Sequence, residues 1–157
     1  TGHLVLSTLH TNSAPESIIR LTHMGLAAYL LADSVKLIIA QRLIKTLCPA
    51  CKVEEPLPDN VRRMLSAEEA APLTRVFSPK GCPACQSSGY SGRQAVFEVM
   101  EIRSPETRGL ILTAQGADPL TRQAVQEGMV SLRRAALEAL AAGQTSVDEA
   151  VSLIVGD

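Results

Sequence analysis

The sequence predicts an α/β fold, and three observations carry that expectation. A short apolar run, Leu4-Val5-Leu6-Ser7, leads through a polar tip into a capped helix. A second stretch, Arg93 to Ile102, alternates apolar and polar residues as a strand does. Helical segments fill most of the remainder, and between them lie the only four cysteines, arranged as two identical turns, Cys48-Pro49-Ala50-Cys51 and Cys82-Pro83-Ala84-Cys85.

Taken in order, Leu4 to Ser7 reads as a strand buried on both faces. Thr8-Leu9-His10-Thr11-Asn12 is its polar tip. Ser13 then caps a helix, with Pro15 in the first turn and Glu16 placed to complete a capping box. That helix stops near Met24-Gly25, and His23 is a solvated residue on it. The order strand, tip, helix puts His10 and Thr11 at the carboxyl end of a strand, where ligands of open α/β sheets bind. The plainer reading is that His3 and His10 are polar residues flanking a strand.

Residues 26–45 are expected to form one long apolar helix, with Leu30, Leu37 and Ile44 on one line and Leu31, Val35 and Ile38 beside it. Asp33, Lys36 and Arg42 interrupt the run, so it is a buried helix rather than a membrane span. Arg42 is either a salt-bridged structural residue or a contact to a phosphate or a second subunit. Between the cysteine pairs, Asp59 to Ala71 reads as a short helix with Val61, Met64 and Leu65 on one side, framed by prolines. After the turn cluster Gly89-Tyr90-Ser91-Gly92, the strand Arg93 to Ile102 should bury Ala95, Phe97 and Val99 and expose Gln94, Glu98 and Glu101. Helices are expected over Pro105–Thr113, Pro119–Glu127, Ser131–Ala142 and Ser146–Val155, forming a bundle, with Ser146 and Glu149 as a further capping box.

The cysteine quartet carries the clearest chemistry. One Cys-x-x-Cys turn brings two thiolates to a single ion, and two turns supply the four ligands of a closed structural zinc site. A dithiol redox pair would have one such turn opening a helix after a strand. Disulfides across a two-residue gap are geometrically awkward. Zinc at Cys48, Cys51, Cys82 and Cys85 fits best, clipping the 30-residue excursion between the pairs at its base.

Bulk properties narrow the partners. Net charge is −1, and the segment 48–85 carries five positive and five negative side chains, which is no footprint for nucleic acid. Aromatic content of 3% leaves the core to Leu, Ile, Val and Ala. No basic run precedes the first apolar residues, so no signal peptide is expected. The absence of an initiating Met suggests a piece cut from a longer protein.

Several motifs together resemble one family. Thr1-Gly2-His3-Leu4-Val5-Leu6-Ser7-Thr8-Leu9-His10-Thr11-Asn12 is similar to the histidine box of the secretion ATPases, the type II secretion E-proteins and type IV pilus assembly ATPases. Arg20-Leu21 with Met24-Gly25, Gln41-Arg42-Leu43 running into Leu47-Cys48, Gly89-Tyr90 with Gly92-Arg93 and Phe97-Glu98, and Gly143-Gln144-Thr145-Ser146 with Glu149 resemble its following segments. In that family the cysteine quartet separates the assembly and secretion branch from the retraction ATPases. Two departures stand out: Ala135-Ala136 occupies the place of an acid–glycine pair, and Ser152 that of a basic residue.

The resemblance implies the C-terminal part of a RecA-like ATPase core (1–47), a zinc-clipped tetracysteine subdomain (48–85), and a strand with a C-terminal helical bundle (86–157). It implies a cytoplasmic hexamer, peripheral at the inner membrane, that uses ATP and Mg²⁺ to drive inner-membrane platform proteins. His10 would sit near the γ-phosphate and His3 in the same box with a less direct role; such chemistry depends on positioning and charge stabilisation. The chain contains no Gly-x-x-x-x-Gly-Lys-[Ser/Thr] loop, so these 157 residues alone are expected not to hydrolyse ATP. A different class of function, a zinc-stabilised module that docks a protein partner without nucleotide, is the alternative.

Overall fold

The computed structural model describes residues 2–113 and 116–155; Thr1, the first residue of the histidine-box segment, lies outside them. The chain divides into two compact units, one of residues 1–40 with 99–129, the other of 41–98 with 130–157. These units cut across the three segments read from the motifs.

In the first unit, helix α1 (Ala14–His23) begins as its sequence dictates. Ser13 Oγ accepts from the Glu16 N–H at 3.3 Å. The Glu16 carboxylate accepts from the Asn12 N–H at 3.1 Å, one residue before the cap, so the box is offset. Gly25, at φ +91°, ends the helix in a conformation that suits glycine. Leu4 to Ser7, expected as a buried strand, forms none: residues 2–11 lie outside regular structure, and Leu4, Val5 and Leu6 are 86%, 79% and 87% exposed. A strand exists only by pairing, and no strand among the described residues pairs with this run.

The expected helix 26–45 is also corrected. Helix α2 covers only Ala28–Ser34, and the chain then extends as strand β1 (Leu37–Leu47). The spacing of Leu30, Leu37 and Ile44 fits a helical line, but the alternation over 37–46 and the β-branched Ile38, Ile39 and Ile44 favour a strand. Ala40 and Ile44 are buried, whereas Leu37, Ile39 and Leu43 are exposed. Strand β4 (Tyr90–Glu101) pairs with β1 in a two-stranded sheet. Helices α5 (Pro105–Thr113) and α6 (Ala117–Gln126) complete the first unit. There α2 packs on α5, and α1 and α5 both pack on α6, burying Ile18, Leu31, Ile111 and Leu120.

The second unit holds a short antiparallel hairpin, β2 (Val53–Glu55) with β3 (Val76–Ser78), in which Glu54 faces Phe77. Where one helix was expected over 59–71, two single turns form, α3 (Asp59–Arg62) and α4 (Ala67–Ala70). Ser66 breaks them by capping the second with a complete capping box. Val61 is buried and Leu65 partly so, but Met64 is 43% exposed. Helices α7 (Leu132–Ala141) and α8 (Val147–Val155) pack against each other and against β3. Leu57, Val61, Leu73 and Val76 from the excursion share one core with Ala136, Leu137, Leu140, Ala150 and Ile154. The excursion is thus part of a composite core, and of the four late helices α5 and α6 belong to the first unit and α7 and α8 to the second.

Strand β4 buries the face opposite to the expected one. Val96, Glu98 and Met100 are inside, while Phe97 and Val99 are 49% and 41% exposed. The reason is Glu98, 3% exposed, whose carboxylate accepts from the Leu132 N–H at 3.1 Å in the first turn of α7. A buried carboxylate is stable where a helix N-terminus offers it unpaired N–H groups. Glu98→Ala should lower the stability of this unit by about 1–3 kcal/mol, measured by denaturant unfolding, because the α7 donor loses its acceptor.

An ion pair joins the excursion to α7. Arg133 Nε lies 2.7 Å and Nη2 3.2 Å from the Glu69 carboxylate, and Nη2 also donates to the Met64 carbonyl. The Arg133 guanidinium, against some loss from burial, holds the Glu69 carboxyl down at about 2, below its ordinary 4.5. A depressed carboxyl adds stability that is complete above pH 4.5 and is lost as pH falls toward 2. Glu69→Gln should therefore unfold at lower denaturant than the parent at pH 6, and the difference should shrink steadily down to pH 2.

Candidate metal centre

The four cysteines converge in the second unit. Cys48 follows directly from β1, where its N–H donates to the Gly89 carbonyl at 2.9 Å. The turn then closes through Cys51 and Lys52 N–H groups on the Cys48 carbonyl, at 3.2 and 3.0 Å. Cys82 and Cys85 bracket a single 3₁₀ turn, Pro83–Cys85. After it, Gln86 and Ser87 take positive φ, at 51° and 62°, and Ser87 N–H returns to the Cys82 carbonyl at 2.9 Å.

All four Sγ atoms lie within 4.8 Å of one another. The Cys48–Cys82 separation is 4.0 Å, and Cys51–Cys85 and Cys82–Cys85 are each 3.8 Å. Four thiolates at about 2.3 Å from a central zinc stand about 3.8 Å apart at the corners of a tetrahedron. These distances are too long for disulfides, and all four cysteines are free. Neither pair opens an α-helix, as a dithiol redox motif would. The residues therefore fit a divalent, thiophilic ion such as zinc, which they would bind as a closed cage with no open catalytic position.

The local electrostatics differ across the cage. Burial, aided by the neighbouring thiols, pushes the Cys51 thiol up to about 12. Burial also raises Cys85, but the N–H groups of Cys82 and Gly89, both 3.2 Å from its sulfur, and the thiols of Cys82 and Cys51 outweigh it and hold Cys85 at about 6. Four thiols this close deprotonate together only against a cation, so loading the cage releases protons.

Glycine is required at two points of this frame. A Cβ on Gly81 (φ +89°) would meet the Ser87 carbonyl oxygen at 2.7 Å, and one on Gly89 (φ +76°) would meet Pro79 Cβ at 2.3 Å. The late turn Gly143-Gln144-Thr145-Ser146 is tied to the same frame. Gln144 O accepts from Leu47 N–H at 2.8 Å, Thr145 Oγ1 donates to Lys45 O at 2.8 Å, and Ser146 Oγ is 2.9 Å from Tyr90 Oη. The expected box at Ser146 is shared: Ser146 Oγ accepts from Glu149 N–H at 3.4 Å, but the Glu149 carboxylate turns to Lys45, bonding its N–H and its ammonium at 2.9 Å. The motifs read from the sequence include Tyr90 and Glu149 without tying them to the cysteines, and no feature of the sequence pointed to Lys52 as part of this frame.

His3 and His10 lie elsewhere, in the irregular segment of the first unit, and both are exposed. Next to His10, Thr11 Oγ1 is 2.7 Å from Ser17 Oγ on α1. Arg42 sits within β1, half-buried. Among the described residues no helix is long and apolar enough to cross a membrane.

A mixed α/β chain closed by a four-cysteine cage is the class of protein that this fold and site define. The model of one family, the type II/IV secretion system proteins, matches residues 1–152, and the chain belongs to that family. It is 38% identical to type II secretion system protein E of Aeromonas hydrophila over 149 residues, 95% of this chain and 29% of that protein. It is 41% identical to the type IV pilus assembly ATPase PilB of Acinetobacter baylyi and 40% identical to that of Pseudomonas aeruginosa. These matches cover 95% of this chain and 26% of each relative. The chain thus spans between a quarter and a third of the length of these relatives.

Metal removal should loosen residues 46–88 first, since the cage closes that segment. Stripping the ion with a chelator is expected to open protease sites there before any appear in α5 or α6, read by mass spectrometry of the fragments. Gly89→Ala should reproduce part of that loosening with the ion supplied, at a cost on the order of 1–3 kcal/mol.

Proposed function

We propose that this chain is part of a RecA-like ATPase that powers type II protein secretion or type IV pilus assembly. The observation that carries the reading is the family match over residues 1–152, with relatives from both systems at about 40% identity. The two pilus relatives are named as ATPases. The cysteine cage supports a zinc-holding member.

On this reading the longer protein binds ATP and Mg²⁺, works as a hexamer peripheral to the cytoplasmic face of the inner membrane, and moves inner-membrane platform proteins. The zinc held by Cys48, Cys51, Cys82 and Cys85 is structural: it neutralises the thiolates and fixes the composite core. His10 acts at the γ-phosphate, where an exposed imidazole is free to donate to the phosphoryl oxygens as charge moves toward the leaving group. His3, in the same irregular segment, supports its placement. Leu4 to Leu6 gain their burial when that segment pairs with strands of the longer chain.

The test is ATP hydrolysis by the longer protein containing this chain, beside its His10→Ala variant. The variant should lose at least about 10²-fold in turnover with nucleotide affinity and oligomer size preserved, as expected for a group that stabilises developing charge. Equal turnover by both would remove His10 from the chemistry. Absence of turnover by the longer protein, even with its membrane platform added, would overturn the ATPase reading.

A further inference from the structure

Lys52 stands between the cysteine cage and the α7–α8 turn. Its backbone N–H closes the first cysteine turn on the Cys48 carbonyl at 3.0 Å. Its side chain reaches across 91 positions of sequence to donate to the Gly143 carbonyl at 2.7 Å. On the way the ammonium lies 4.6 Å from the centre of the Phe77 ring, on the hairpin strand β3. Gly143 (φ +63°) fits closely beneath this pair: a Cβ there would meet the Phe77 ring at 2.7 Å and Lys52 Nζ at 3.4 Å. A cation over an aromatic face and against the carbonyl past a helix C-terminus is favourable on both counts.

The contacts form a closed ring. From the cage, Lys52 holds Gly143; the next residue, Gln144, accepts from Leu47 N–H, and Thr145 donates to Lys45 O. Leu47 leads directly back into Cys48. A position fixed at Cys51 by a bound ion is therefore one bond away from Lys52 and one side chain away from the turn.

We infer that Lys52 is a positioning residue that transmits occupancy of the cysteine cage to the turn Gly143–Ser146, so that metal binding orders this turn and, through it, the end of β1. The inference is independent of the proposed ATPase activity. It makes the ion more than a clip for the excursion: it sets where the C-terminal hairpin meets the sheet.

The experiment is site-resolved hydrogen exchange on the full chain, zinc-loaded and metal-stripped, with Lys52→Met and, separately, Phe77→Leu. Zinc stoichiometry is measured on each. The Leu47 and Gln144 amides report on the turn, and Ile111 and Ala124, buried inside α5 and α6 of the first unit, serve as the internal reference. In the parent, stripping zinc should speed exchange at Leu47 and Gln144 by at least about tenfold relative to the reference amides. In Lys52→Met the cage should still bind one zinc, but both reporters should exchange faster while loaded and respond to zinc removal by less than about twofold. Phe77→Leu should fall between the two. Parent-like protection and zinc response in Lys52→Met would overturn the inference. Equal acceleration of reporters and reference would also overturn it, because the effect would then be general loosening. So would loss of zinc by Lys52→Met, which would make the lysine part of the cage rather than the link from it.

Discussion

Four thiols held within 4.8 Å of one another impose the constraint on which the second unit depends. Once deprotonated they repel, and an ion at their centre would turn that repulsion into a cross-link. The cage joins the end of β1 to the segment leading into β4 and closes a loop whose own hydrophobic content is small. Loop closure costs free energy that grows only slowly with length, so one strong link serves for the whole excursion. The excursion does not stand on that link alone. Leu57, Val61, Leu73 and Val76 complete a core with α7 and α8, and Arg133 ties Glu69 to the same helix.

The parts of this fold that were legible in the sequence are those set by local chemistry. Ser13 and Ser146 each cap a helix, with their side chains accepting from the third residue beyond. The bounds of α5 match Pro105 to Thr113. The cysteine cage was legible because two Cys-x-x-Cys turns leave no ligand over and need only each other. What the sequence hid are choices settled at long range. The stretch after Ser34 satisfies a helical line at Leu37 and Ile44 and a strand alternation at the same time; pairing with β4 decides for the strand. On β4 a glutamate in the middle of an apolar pattern pointed outward by every local rule. It points inward because α7, which begins 34 residues later, presents an N–H to it.

The candidate site divides in the same way. The convergence of the four cysteines was readable, but the frame that steadies them was not. Lys52, Gly143 and Tyr90 act on partners between 56 and 91 positions away. The histidine segment shows the opposite limit. Its resemblance to a family motif is specific, yet in the described structure His3 and His10 sit on an irregular, exposed run with apolar neighbours in water. Local pattern suggested a strand there, but a strand is a property of two segments.

The composite core has a consequence for how such chains diverge. The apolar face of α7 and α8, formed by Ala136, Leu137, Leu140, Ala150 and Ile154, is covered by residues of the cysteine-bounded excursion. A gene that discarded the four cysteines and the loop between them would leave that face wet. Descendants without the quartet should then carry polar side chains at these helix positions, and those with it should keep them small and greasy. The two regions lie more than fifty positions apart in the sequence, yet they are expected to change hands together, as a single heritable character.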